Sequence, residues 1–294
     1  MKILITGAGG QLGNDCVALL GNKYNVQGCN SRQLNIGDQA QVEDTIKNVQ
    51  PDVVINCAAY TAVDNCETEK ECCELVNATG AKYLAAACQK NNSRLVHIST
   101  DYVFDGNKPV PGEYTEQDAT SPLSTYGHSK LHGEQLIAAN MDNYLIVRTA
   151  WLYGMGGKNF LKTMLRLALA DPDRTVTVVN DQYGSLTWTA TLARQLKKVL
   201  NDNLTGIVHA TAEQYCTWYE GAQYFLKAMD VPFSLAPCTT DQYPTPAHRP
   251  TNSILANTRL KKYGLQVMQT WQQDIDDFVA EYRDALLAEA QATT

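Results

Sequence analysis

The feature that most constrains the fold stands at the start of the chain: the apolar run Lys2 to Thr6 (KILIT), the turn GAGGQLG, and NDCVALLGN, whose apolar spacing suits a helix. This is the pattern strand, glycine turn, helix. Gly7, Gly10 and Gly13 divide three tasks: one permits the tight turn, one lets backbone N–H groups approach a pyrophosphate, and one lets helix and strand pack closely. The helix N-terminus then offers its positive dipole end to the phosphates. The pattern predicts a Rossmann-type, doubly wound α/β fold.

Tyr24 to Cys29 (YNVQGC) reads as the second strand, and its end lacks an acid. A carboxylate ~20 residues beyond the glycines normally binds the ribose 2′-hydroxyl of NAD. Here Asn30, Ser31 and Arg32 stand in its place, with no acid before Asp38. A 2′-phosphate meets no repulsion and can pair with Arg32, so NADPH is the expected cofactor, with NADH left open. Gln39 to Gln50 has helical spacing, and DVVINCAAY after Pro51 is a buried β-run. Ala58, Ala59, Tyr60 and Thr61 follow at that strand's C-terminal end, the side on which parallel sheets bind ligands. Glu69 to Asn91 supplies a long helix, and Arg94 to Ser99 the fourth strand.

At the end of this strand Thr100 and Asp101 face the same crevice, followed by Tyr102 and a loop with three prolines, Pro109, Pro111 and Pro122. Ser124 opens a helix on which Tyr126 and Lys130 stand four apart, hence on one face. An isolated phenol titrates near ~10, and a nearby ammonium is expected to pull it toward the working range. These residue types suit carbonyl reduction: hydride from the nicotinamide, a proton from Tyr126, Lys130 on the nicotinamide ribose, and Thr100 orienting the carbonyl oxygen. His128 and His132 are also four apart, but lie about 200° and about 240° around the helix from Tyr126 and have no companion ligand motif, which argues against zinc.

NYLIVRTAWLYG predicts a fifth strand running into a loop with Trp151 and Tyr153. Beyond Asn159, helices and short β-runs interleave, which predicts a dinucleotide-binding domain of residues 1–147 and about 185–212, and a smaller substrate domain of about 148–184 and 213–294. Trp151 is a candidate to stack on a sugar or base, and Arg249 in YPTPAHRPTNSIL to bind a substrate phosphate. Net charge is −7 over 294 residues, which gives no basic field for nucleic acid. No apolar run approaches the ~20 residues of a membrane span, the initial apolar patch is too short for a signal peptide, and the odd set of nine cysteines has no C-x-x-C. A cytoplasmic protein with reduced thiols is expected.

In order, GAGGQLG, NCAAYTAVDNCE, STDYVFDG, Y-x-x-x-K, RTAWLYG, NDQYGSLT and RPTNS resemble the dTDP-4-dehydrorhamnose reductase family of extended short-chain dehydrogenases, over nearly the whole chain. The resemblance implies reduction at C4 of dTDP-4-dehydro-β-L-rhamnose to dTDP-β-L-rhamnose, with Thr100, Tyr126 and Lys130 as the catalytic set. It implies cofactor contacts at Gly10, Gln11, Leu12, Ala59, Tyr60, Thr61 and Lys130, and substrate contacts at Thr100, Asp101, Tyr126 and Trp151; Tyr102 is counted with the latter. Asn35 and Ile36 fall where the family often has an acid beside the adenine. Some members are dimers bridged by magnesium between acidic side chains; Asp15 stands near one such position and NDQYG offers Asp181, so no metal is assigned, and the chain is expected as a monomer or homodimer. The alternatives are another sugar-nucleotide reductase or epimerase, and a non-catalytic relative resembling the regulatory subunit of methionine adenosyltransferase.

Overall fold

A computed structural model describes residues 1–292. In chain order the first half runs β1 (Lys2–Thr6), α1 (Gln11–Gly21), β2 (Asn25–Cys29), α2 (Gln39–Val49), β3 (Val53–Asn56), α3 (Val63–Cys66), α4 (Lys70–Glu74), α5 (Gly80–Lys90), β4 (Arg94–Thr100), α6 (Thr125–Asn140) and β5 (Tyr144–Thr149). The second half runs β6 (Leu152–Tyr153), α7 (Phe160–Ala170), β7 (Thr175–Val179), β8 (Tyr183–Gly184), β9 (Thr187–Trp188), α8 (Thr189–Val199), β10 (Gly206–His209), β11 (Cys216–Thr217), α9 (Trp218–Ala228), β12 (Ser234–Cys238), α10 (Thr258–Lys262) and α11 (Trp271–Ala292).

Six strands form one parallel sheet in the order β2-β1-β3-β4-β5-β10. Strand order reverses between β1 and β3, so a crevice opens at their C-terminal ends, where such sheets bind ligands. Buried on both faces, the central strands are near-continuous apolar runs, as in VVIN and YLIVRT. Gly7 sits at φ +66°, and a Cβ there would stand 2.6 Å from the Ala58 backbone nitrogen. Only glycine lets the turn after β1 pass that close to the end of β3.

The long helix expected over Glu69 to Asn91 is α4 and α5 joined by a π turn, Leu75–Thr79. The extra residue turns Asn77 inward, a use π turns often have at functional sites. From Asn159 the chain builds a second core in which Trp188, Phe225, Trp271 and Phe278 pack together, then returns to the first: α8 lies on α1 and β10 extends the sheet beside β5. Asn252 ties the two halves. Its amide donates to the carbonyls of Lys108 (3.0 Å) and Gly112 (2.7 Å), pinning the loop after β4 under the RPTNS segment. Among the described residues no helix is long and apolar enough to cross a membrane.

Candidate active site

One cleft of about 990 Å³ runs from the glycine turn, past the ends of β3, β4 and β5, to Trp218 and Arg249. At one end lies the start of α1. Its cap residue, Gly10, offers no side chain to the first-turn amides, whereas α2, α6, α7 and α9 are capped by Asp38, Ser124, Asn159 and Thr217. The free N–H groups and the helix dipole suit a pyrophosphate. Asn159 donates to Gln11 Oε1 at 3.0 Å, which lays the 154–159 loop against this end and brings Lys158 into the lining.

Gly7, Gly10, Gln11, Leu12, Gly13, Asn30, Ser31, Asn35, Ile36 and Ala58 to Thr61 all line the cleft; Arg32 does not, and stays on the exposed side of its turn. That turn is set by Asn30, whose side-chain oxygen accepts from the Arg32 and Gln33 backbone N–H groups at 3.0 and 3.2 Å. Asn77 holds Tyr60 through both backbone groups (2.8 and 3.1 Å) and donates to Ser129 Oγ at 3.0 Å.

The catalytic candidates meet in the middle. Thr100 ends β4, paired in register with Thr149 of β5, and its hydroxyl donates to Asp101 Oδ1 at 2.9 Å. Glu67 fixes the start of α6 by accepting from the Thr125 N–H (2.9 Å) and hydroxyl (2.7 Å). This sets Tyr126 in the cleft, edge-on to Tyr102 with ring centroids 5.5 Å apart. The expected lowering of the phenol by Lys130 is corrected: burial pushes Tyr126 well above its ordinary value, with a hydrogen bond to Thr100 opposing. Lys130 spends its nitrogen elsewhere, on the Ile98 carbonyl (2.7 Å) and His97 Nε2 (3.3 Å). Burial also pushes Lys130 down to about 8, against the pull of Glu134. Asp101 is pushed up to about 6, again by burial.

The facing wall comes from the second half. Trp151 sits at φ +50°, a strained position for a bulky residue, and stacks on Trp218 with centroids 3.6 Å apart and planes 12° from parallel. Gly184 makes room: a Cβ there would lie 2.5 Å from Trp151 Cε2. Trp218 donates to Gln182 Oε1 at 3.2 Å and meets the edge of Phe160. Trp218, Phe160 and Lys158 were not singled out from sequence; the only available signal for Trp218 was the Thr217–Glu220 capping box that starts α9. Arg249 reaches the cleft rim, but its guanidinium forks onto Asp64 at 2.9 and 3.0 Å.

The remaining candidates lie outside. His132 bonds Glu74 and His128 is exposed. Asp181 accepts from the Thr240 N–H and hydroxyl, and Asp15 accepts from Thr189 Oγ1 at 2.5 Å. Among the described residues no group of three or more His, Cys, Asp or Glu is arranged to hold a metal ion.

A parallel sheet with a glycine-turn dinucleotide end, joined to a Thr-Tyr-Lys set, defines an NAD(P)H-dependent oxidoreductase of the extended short-chain dehydrogenase kind. Within that class the chain belongs to the family described as RmlD substrate binding domain, whose model matches residues 1–284. It is similar to the dTDP-4-dehydrorhamnose reductase of Aggregatibacter actinomycetemcomitans, 39% identical over 95% of this chain and 98% of the relative. It is also similar to the spore coat polysaccharide biosynthesis protein SpsK of Bacillus subtilis, 37% identical over 97% of this chain and 99% of the relative. Among solved structures, the dTDP-4-dehydrorhamnose reductase of Bacillus anthracis in complex with NADP superposes with a TM-score of 0.92 at 36% identity, covering 95% of this chain and 99% of the other.

Proposed function

We propose that this chain reduces the C4 ketone of dTDP-4-dehydro-β-L-rhamnose to dTDP-β-L-rhamnose, with NADPH as the preferred reductant. The observation that carries the reading is the meeting, in one cleft, of the uncapped α1 terminus with Thr100, Tyr126 and Lys130. Held in the cleft by the α1 terminus and the residues at the ends of β3 and β4, a reduced nicotinamide would supply the hydride for the carbonyl carbon. Tyr126 gives its proton to the oxygen, and burial keeps that phenol protonated until a stronger base forms beside it. Thr100 orients the oxygen and shares its developing charge. Lys130, one turn along α6 from Tyr126 and lining the same cleft, is the proposed partner of the nicotinamide ribose. The Trp151–Trp218 stack packs against the sugar.

Arg249 is positioned to exchange Asp64 for the substrate diphosphate, since a bidentate carboxylate offers the same fork geometry as a phosphate. The NADPH preference rests on the turn at Asn30: its side-chain carbonyl is spent on the turn's own N–H groups, Ser31 lines the cleft, and the turn has no carboxylate to repel a 2′-phosphate, while Arg32 on its exposed side adds positive charge. The test is to mix the protein, NADPH and dTDP-4-dehydrorhamnose and follow the absorbance of the reduced nicotinamide. Substrate-dependent oxidation is expected. Oxidation with a different 4-keto sugar nucleotide alone would overturn the sugar assignment, and oxidation with none would overturn the reaction.

A further inference from the structure

Beneath the catalytic helix, three strands place polar side chains side by side where a parallel core normally holds apolar ones. Thr6, Asn56 and His97 are register partners across β1, β3 and β4, and all three are buried. Their hydrogen bonds have a fixed direction. The Ala58 backbone N–H can only donate, and it donates to Asn56 Oδ1 at 3.2 Å; the Thr6 hydroxyl donates to the same oxygen at 2.5 Å. Asn56 therefore turns its amide nitrogen to His97, meeting Nδ1 at 2.9 Å. A neutral imidazole that accepts on Nδ1 carries its proton on Nε2. That nitrogen faces Lys130 Nζ at 3.3 Å, while Lys130 itself donates to the Ile98 carbonyl.

We propose that His97 is a positioning residue for Lys130: it presents an Nε2–H to the lysine nitrogen, favouring the neutral amine and fixing its direction. An ammonium has no lone pair to accept this bond. Protonating Lys130 sets two donors against each other unless the Asn56 amide reverses, and reversal strands the Ala58 N–H. Burial acts in the same direction, and also holds His97 neutral. The other titratable groups facing the lysine, Glu134 on its own helix and the thiols of Cys73 and Cys57, oppose it. Lys130 thus gains and loses its proton near neutral pH. If the reductase reading holds, it can return a proton to Tyr126 after each turnover.

Nitrogen NMR of the full chain labelled with ¹⁵N-histidine, which has five histidines, tests the proposal without substrate. The His97 signals, assigned by their loss in His97→Gln, are expected to show a protonated Nε2 and bare Nδ1. They should carry an inflection near about 8, the value burial gives Lys130, that disappears in Lys130→Met. An Nδ1–H tautomer, an imidazolium, or an inflection that survives Lys130→Met would overturn the proposal. In the pH profile of kcat, His97→Gln is expected to move the limb that depends on Lys130 upward by about one pH unit, because the new carbonyl can face an ammonium. An equal loss at every pH would mark His97 as merely structural. Absence of turnover with an intact NMR signature would count against the reductase reading instead.

Discussion

The sheet-side wall of the cleft and the wall opposite hold their side chains by different means. On the sheet side, Thr100 is fixed by strand register and Tyr126 by the clasp of Glu67 on the helix that carries it. Opposite, Trp151 is held by a left-handed backbone, by Trp218 from a distant helix, and by the space at Gly184. The first wall is held by strand register and by contacts within the first half of the chain; the second brings together Trp151, Gly184 and Trp218, which stand far apart along the second half. Changes to the first should therefore act on the chemical step, and changes to the second on how tightly the sugar nucleotide is held.

The largest expected effect is at Tyr126. Tyr126→Phe removes the proposed acid and should lower kcat by ~10²–10⁴-fold while NADPH affinity, read by fluorescence titration, stays within about twofold. A kcat close to wild type would place the acid elsewhere and break the contrast between the walls.

Next comes the cost that the sheet side carries. Burial pushes the Asp101 carboxyl up to about 6 in the fold from an ordinary 3.8, and one of its buried oxygens has no hydrogen-bond partner among the described residues. Between those two values the folded state binds more protons than the unfolded one, so stability from this group falls as pH rises through about 4 to 6. Asp101→Asn should then gain about 1–3 kcal/mol at pH ~8 relative to its effect at pH ~4, measured by urea unfolding. A pH-independent difference would show that Asp101 is ionised at no cost.

On the opposite wall, Trp218→Ala should raise KM for the sugar nucleotide by ~10-fold, leave kcat within about threefold, and weaken the near-ultraviolet dichroism of the tryptophan stack. A matching fall in kcat would mean that the stack also aligns the carbonyl. The smallest effect is expected at Arg249, which must leave Asp64 before it can bind a diphosphate: Arg249→Lys should raise the same KM only about threefold, since much of the gain is offset by the bond it gives up. No change in KM would remove Arg249 from the substrate site.

The same contrast explains what could be read from the chain alone. The glycine turn, the strand ends and the Tyr126–Lys130 spacing are local patterns, and each reaches the cleft. Spacing says which helix face two residues share but not how deep they lie, so it does not give the direction of the Tyr126 shift: burial pushes the phenol up, and the lysine nitrogen is bonded to Ile98 and His97. Asn77 was hidden by the π turn that redirects it, and His97 by a run, RLVHIS, that reads as an ordinary buried strand. Trp218 and Asp64 act through partners far away in the chain, and a single sequence does not show those pairings; the capping box before Trp218 marks only where its helix starts.

The most direct test of the account is isotopic. With dTDP-4-dehydrorhamnose and NADPH deuterated on the transferring face of the nicotinamide ring, the protein should yield dTDP-rhamnose carrying one deuterium at C4 of the sugar, read by proton NMR. Unreacted ketone, or a product whose C4 carries only protium, would contradict it.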